Sequence, residues 1–177
     1  VKTYYDVTFM NGNEVFAENK DVLYGTATPV PAENPTREGY TFKGWAEVVG
    51  DELRPVTDTV TRTVTYQAQW KLNTYTVTFD ANGGSVDPTS KTVTFDEPYG
   101  ELPAPTRTGY DFLGWFTAAE DGDQVTANTT VTATADHTLY AQWQKKTFTV
   151  KYYLPDETGA WVEKNMDTVD SVDYATY

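Results

Sequence analysis

The chain has 177 residues, 13 Lys and Arg against 26 Asp and Glu, a net charge of -13, a single His and no Cys. That inventory excludes disulfide frameworks, thiolate nucleophiles, Cys-ligated metals and any multi-histidine site, and its repulsive field argues against nucleic acid and anionic membranes as partners. With 31 Thr and 19 Val, no Ile and only 7 Leu, the composition favours strands, and no apolar run is long enough for membrane insertion.

Tyr5, Val7 and Phe9 alternate with Asp6 and Thr8, the pattern of a half-buried strand, and Asn11-Gly12 supplies a tight turn into a second strand. A proline stretch follows at Pro29, Pro31 and Pro35, which cannot donate to a central ladder. Next comes Gly39-Tyr40-Thr41-Phe42-Lys43-Gly44-Trp45. It is too short and too glycine-bounded for a long helix and is expected to form one helical turn or a bent crossover. An edge strand is expected over Val56 to Val60. A closing strand is expected where Val64, Tyr66, Ala68 and Trp70 share one face.

The series then repeats. Tyr75-Thr76-Val77-Thr78-Phe79 matches the opening strand 70 residues on, Pro105 to Trp115 matches Pro35 to Trp45 at the same offset, and Ala141-Gln142-Trp143 matches Ala68-Gln69-Trp70 at 73. Asn82-Gly83-Gly84 opens a longer loop before the Lys91 to Phe95 strand, and Val131 to Ala135 is expected as the edge strand. A third start appears at Phe148-Thr149-Val150-Lys151-Tyr152, with no third Pro-Thr-Arg segment after it. The expected organisation is a first module over 1–72, a second over 73–145, and the opening hairpin of a truncated third over 146–177. Without a leader or a sorting tail, the chain reads as a piece of something longer.

Tyr-x-Val-x-Phe, Asn-Gly-Gly, Pro-Thr-Arg-x-Gly-Tyr-x-Phe-x-Gly-Trp and Tyr-Ala-Gln-Trp, in that order, resemble the Listeria–Bacteroides repeat, or internalin-type B-repeat. The second copy carries every element, whereas the first has Asn11-Gly12-Asn13 and Gln67 in place of Asn-Gly-Gly and the closing Tyr. The resemblance implies a β-rich α+β fold of tandem β-grasp-like, ubiquitin-resembling modules arranged end to end. It also implies an extracellular setting on a Gram-positive cell surface, anchored to the wall through a part not present here. It brings no catalytic residues and no cofactor.

Tyr40, Phe42, Trp45 and Trp70, with their counterparts Tyr110, Phe112, Trp115 and Trp143, can be read as a sugar-stacking platform or as structural core. A module of this size needs large anchors, each aromatic burying ~150–250 Å². Recurrence favours core, because a scaffold has to be rebuilt in every module and a binding site does not. Arg37 and Arg107 can hold a carboxylate ligand, or stack on an aromatic of their own module. Glu120-Asp121-Gly122-Asp123 and the Asp167, Asp170, Asp173 series offer oxygen ligands, but neither fits a 12-residue calcium loop, so no metal site is assigned. Ser85, Ser90 and Ser171 lie in no nucleophile elbow. Asn128-Thr129-Thr130 matches a glycosylation acceptor that a bacterial source would leave idle. With no nucleophile and base, metal cluster or cofactor fingerprint, the reading is not an enzyme but a stalk or spacer segment contributing to adhesion. The alternative is a module that binds a glycan or host surface protein through exposed aromatics, and neighbouring repeats of the same chain are the remaining partners.

Overall fold

The computed structural model describes residues 1–148 and 151–164. Among these residues the fold is all-β, with no helix. The first repeat contributes β1 (Tyr4–Asn11), β2 (Glu14–Leu23), β3 (Tyr40–Val49), β4 (Glu52–Pro55) and β5 (Val64–Leu72). The second contributes β6 (Thr74–Asp80), β7 (Ser90–Thr94), β8 (Tyr110–Phe116), β9 (Gln124–Val125) and β10 (His137–Lys145). A separate two-stranded hairpin pairs β11 (Tyr152–Pro155) with β12 (Trp161–Lys164).

This corrects the expected α+β, β-grasp-like class. The Gly-Tyr-x-Phe-x-Gly-Trp segment, read as a helical turn or crossover, is a strand in both copies, β3 and β8. The misreading has a physical origin in a bulge. Phe42 and Trp45 are three apart, a spacing that places two residues on one face of a helix and on opposite faces of a regular strand. Opposite β5, however, Phe42 faces Trp70, Gly44 faces Gln69 and Trp45 faces Ala68, so β3 carries one extra residue, the exposed Lys43. Gly44 absorbs the kink at φ +118°, a region that side-chain-bearing residues rarely enter. The bulge returns both rings to one side, with centroids 5.3 Å apart and edge to face. The second copy repeats the device: Phe112 faces Trp143, Gly114 (φ +141°) faces Gln142, and Leu113 is the exposed extra residue.

The two sheets have the same order, β2-β1-β5-β3-β4 and β7-β6-β10-β8-β9. At the centre of each, the opening strand of the repeat lies parallel to its closing strand. Val7 to Met10 are in register with Val64 to Gln67, and Val77 to Asp80 with His137 to Tyr140. Parallel pairing needs a crossover, which the rest of the repeat supplies. The edge strands expected over Val56 to Val60 and Val131 to Ala135 are not strands. The edges are β2 and β4 in the first sheet and β7 and the short β9 in the second, and Val60 and Val131 instead are buried plugs.

Val7, Phe9, Trp45, Val60, Val64 and Tyr66 form the first core, against which Tyr5, Ala17, Phe42 and Ala68 pack. Phe9 stacks on Tyr66 (5.3 Å) and meets the edge of Trp45 (5.1 Å). In the second repeat Val77, Phe79, Trp115, Leu139 and Ala141 are buried, with Phe79 and Trp115 4.9 Å apart. The alternation visible in the opening and closing strands is thus the alternation of buried and exposed faces.

The chain divides into two compact units. The first comprises Val1–Tyr75 together with Val93–Glu97 and Thr130–Ala135; the second comprises Thr76–Thr92, Pro98–Thr129 and the chain from Asp136. Within the first unit the Phe95 amide donates to Asn73 O (3.0 Å), the Phe95 ring meets Tyr40 edge to face (5.8 Å), and Tyr40 Oη donates to Asp96 (3.3 Å). The β11–β12 turn is held by Asp156, whose carboxylate accepts from Thr158 N (2.8 Å), Thr158 Oγ1 (2.6 Å) and Ala160 N (3.0 Å). These bonds, that of the Thr158 hydroxyl foremost, hold the Asp156 carboxyl below its usual range. Of the apolar face expected over Phe148, Val150 and Tyr152, Val150 lies outside the described residues, as do Asp167, Asp170, Ser171 and Asp173.

Candidate functional site

The bulges set up a row of aromatic rings in each repeat. In the first, Trp45, Phe42 and Trp70 follow one another at 5.3 and 5.5 Å; in the second, Trp115, Phe112 and Trp143 do so at 5.6 and 5.4 Å. Each row runs from a buried indole to more exposed rings. Trp45 and Trp115 are buried at 8% and 2% relative exposure, Trp70 and Trp143 are half-buried, Phe42 is half-buried and Phe112 reaches 38%. Tyr40 and Tyr110, both half-buried, lie under a cation: the Arg37 guanidinium sits 3.7 Å from the Tyr40 ring and that of Arg107 3.9 Å from Tyr110.

Beyond this shared frame the second repeat builds a cleft of about 310 Å³. Its lining comes from three places that the strands bring together: Asn82 on the β6–β7 loop, Ala119 to Asp121 on the β8–β9 loop, and Gln142 and Trp143 on β10, with Arg107 between them. The polar groups are fixed by the backbone. Asn82 Nδ2 donates to Ala119 O (3.3 Å) and Ala141 O (3.1 Å), and Gln142 Nε2 donates to Ala118 O (3.2 Å) and Asp121 O (2.6 Å). Arg107 Nη1 donates to Asn82 O at 3.0 Å, and Trp143 Nε1 donates to Ala81 O at 2.9 Å. Gly83 and Gly84 make the approach possible. A Cβ on Gly83 would stand 3.2 Å from the Arg107 guanidinium, and one on Gly84 would stand 2.5 Å from Thr106 O and 2.8 Å from the Trp143 ring.

The first repeat has no such loops. Two residues separate β1 from β2 where nine separate β6 from β7, and two separate β3 from β4 where seven separate β8 from β9. Gly12 accordingly faces open space. Of the residues singled out from the sequence, Trp143, Arg107, Glu120 and Asp121 therefore line the cleft. Asn82 and Gln142 were visible inside the repeat motifs without being read as cleft residues. The sequence signals one wall of the cleft, because the opening hairpin of the second copy is longer and its extra residues fall in the β6–β7 loop. The segments Tyr40–Pro55 and Tyr110–Val125 are equally long, so the wider β8–β9 loop arises from shorter strand pairing and leaves no length signal.

As metal ligands the described acidic residues are not brought together. Glu120, Asp121 and Asp123 lie in an exposed turn, and among the described residues no three His, Asp or Glu side chains converge as a metal-binding group. His137 Nε2 is 2.7 Å from Tyr99 Oη, and burial pushes the Tyr99 phenol up. No helix among the described residues is long and apolar enough to cross a membrane.

Comparison with known proteins matches the family model described as the Listeria-Bacteroides repeat domain at residues 5–69 and again at 75–142. Internalin H of Listeria monocytogenes is 39% identical over 114 residues, which cover 63% of this chain and 20% of that protein. A protein named as a membrane protein of Evansella cellulosilytica is 30% identical over 161 residues, 85% of this chain and 22% of its own length. A second from that organism, named as a Gly-rich membrane protein, is 31% identical over 155 residues, 84% of this chain and 17% of its own. The chain thus spans about a fifth of the length of the curated relatives it matches.

Proposed function

The chain belongs to the Listeria-Bacteroides repeat domain family, and from that premise we propose that it is a non-catalytic, load-bearing spacer in a bacterial surface protein. In this reading it stands outside the cell, tethered to the wall through a part beyond this segment, and supports adhesion by carrying tension to a binding head.

The observation that carries this reading is the central parallel pair. The chain enters the first repeat at the start of β1 and leaves it at the end of β5, and these two strands are hydrogen-bonded side by side in the same direction. Tension applied through the ends of the repeat slides one strand along the other, so the ladder bonds are loaded together rather than one after another. β6 and β10 stand in the same relation in the second repeat. Resistance to forced unfolding is governed by the unfolding rate, and loading the bonds together raises the barrier that sets it. The acidic surface adds like-charge repulsion between neighbouring stalks, screened beyond ~8–10 Å at physiological salt.

The test is replacement within the full-length surface protein. An unrelated domain of equal length whose end strands also pair in parallel is expected to restore both display and retention of cells under flow. One whose ends lie on an antiparallel hairpin is expected to restore display alone. Full retention under flow with the second replacement, or with the segment deleted, would count against a load-bearing role.

A further inference from the structure

Going beyond the spacer reading, we infer that the second repeat carries a binding site for a neutral pyranose, such as the terminal residue of a glycan, in the cleft between the β6–β7 and β8–β9 loops. The first repeat has no equivalent of either loop, so the site belongs to one copy and is not part of the shared scaffold.

Three features point to this ligand class. The first is size and form: a concavity of about 310 Å³ lies at the lower end of the range that small-molecule sites occupy. The second is preorganisation. Asn82 and Gln142 are each pinned through their amide NH2 to two carbonyls, which leaves both side-chain oxygens as acceptors with no partner among the described residues. Arg107 is held over the Tyr110 ring and anchored by one bond to Asn82 O, so its further N–H donors are presented in restricted positions. Groups already ordered before binding lose little entropy when a ligand arrives. The third is the balance of charge and surface. The lining combines one guanidinium, the exposed residues Glu120 and Asp121 with their carboxylates, and the half-buried Trp143. An anion meets two like charges there, and a cation meets Arg107. A sugar hydroxyl both donates and accepts, so it can use carboxylates, amide oxygens and guanidinium N–H groups together, while the C–H face of the ring packs on the indole.

The test uses the 177-residue chain in a two-dimensional amide NMR titration with the methyl glycosides of glucose, galactose, mannose and N-acetylglucosamine. Glucuronic acid and glucosamine serve as charged comparisons. At least one neutral glycoside is expected to give saturable shifts at the Trp143 indole N–H and at Ala119, Asp121 and Gln142, with a millimolar Kd, while Trp70 and Arg37 of the first repeat stay still. The double variant Glu120→Gln, Asp121→Asn keeps the loop shape, because Asn tolerates the positive φ (+58°) of Asp121. It is expected to weaken neutral binding about tenfold by removing charge-assisted acceptors. Absence of saturable shifts with all four glycosides, equal shifts in both repeats, or tight binding of glucuronic acid that the double variant strengthens would overturn the proposal.

Discussion

Trp45 and Trp115 hold the same position in two copies of one motif, yet the indole N–H of Trp115 donates to Pro103 O at 2.9 Å, while that of Trp45 is buried without a partner among the described residues. The copies also part at their loops. The first turns back on itself in two residues at both β1–β2 and β3–β4, whereas the second spends nine and seven residues at the corresponding places and encloses a cleft. What the copies share is what the sheet requires: alternating strands, the glycine-hinged bulge and the parallel central pair. What differs lies where backbone polar groups can be satisfied by water or by local contacts, so chain can be added at little cost.

The comparison can be broken first at the aromatic rows. Trp115→Ala removes a fully buried indole and is expected to cost ~3–5 kcal/mol, enough to collapse the second repeat in a thermal melt followed by its amide signals. Trp143→Ala removes a half-buried ring and is expected to cost about 1–3 kcal/mol. Equal losses would mean that the difference in exposure between the two indoles does not set the energetics. Next in size is the loop glycine. Gly84→Ala pushes a methyl into Thr106 O and the Trp143 ring and is expected to cost about 1–3 kcal/mol. Asn13→Gly, at the matching exposed position of the first repeat, is expected to stay within about 0.5 kcal/mol, both by chemical denaturation. A smaller effect separates the two buried indoles. Trp115→Phe strands a carbonyl and Trp45→Phe strands nothing, so the former is expected to be worse by about 1 kcal/mol.

The smallest effect concerns the ion pair of Glu47 with Arg62, which is confined to the first repeat because Thr117 stands where Glu47 would recur. Hydrogen bonding from Arg62 holds the Glu47 carboxyl below its ordinary value of 4.5. A depressed folded-state pKa stabilises the fold at pH above the unfolded value, and that stabilisation fades as pH falls through the folded one. With Arg62 52% exposed the pair is screened, and its contribution is about 0.2–1 kcal/mol. Denaturation at neutral and at strongly acidic pH should show this increment in the parent and not in Glu47→Gln. An identical acid response in both would remove the pair from the account.

Much of the architecture was legible because burial imposes period two. Tyr5-Val7-Phe9 and Val64-Tyr66-Ala68 announced the two strands that meet at the centre of the first sheet, and the offsets between copies announced the repetition. The segment around Phe42 and Trp45 was not legible as a strand, because a bulge converts a spacing of three into a shared face and so imitates a helix. Val56 to Val60 misled for a related reason: its apolar residues serve as plugs in an irregular segment rather than as a strand. The cleft was hidden in a different way. Asn82, Arg107 and Gln142 are far apart in sequence, and only the extra length of the β6–β7 loop hinted that they meet.

Force on single molecules tests the central claim most directly. The chain has no Cys of its own, so cysteines introduced at the exposed positions 3, 24 and 71 give clean attachment points. Pulling between 3 and 71 shears β1 against its parallel partner β5, whereas pulling between 3 and 24 peels β1 from β2, where Tyr4 faces Leu23. The account predicts a several-fold higher unfolding force in the first geometry, with a released length on the order of 200 Å for the first repeat. Equal forces in the two geometries would contradict it, since the parallel pair would then bear no special load.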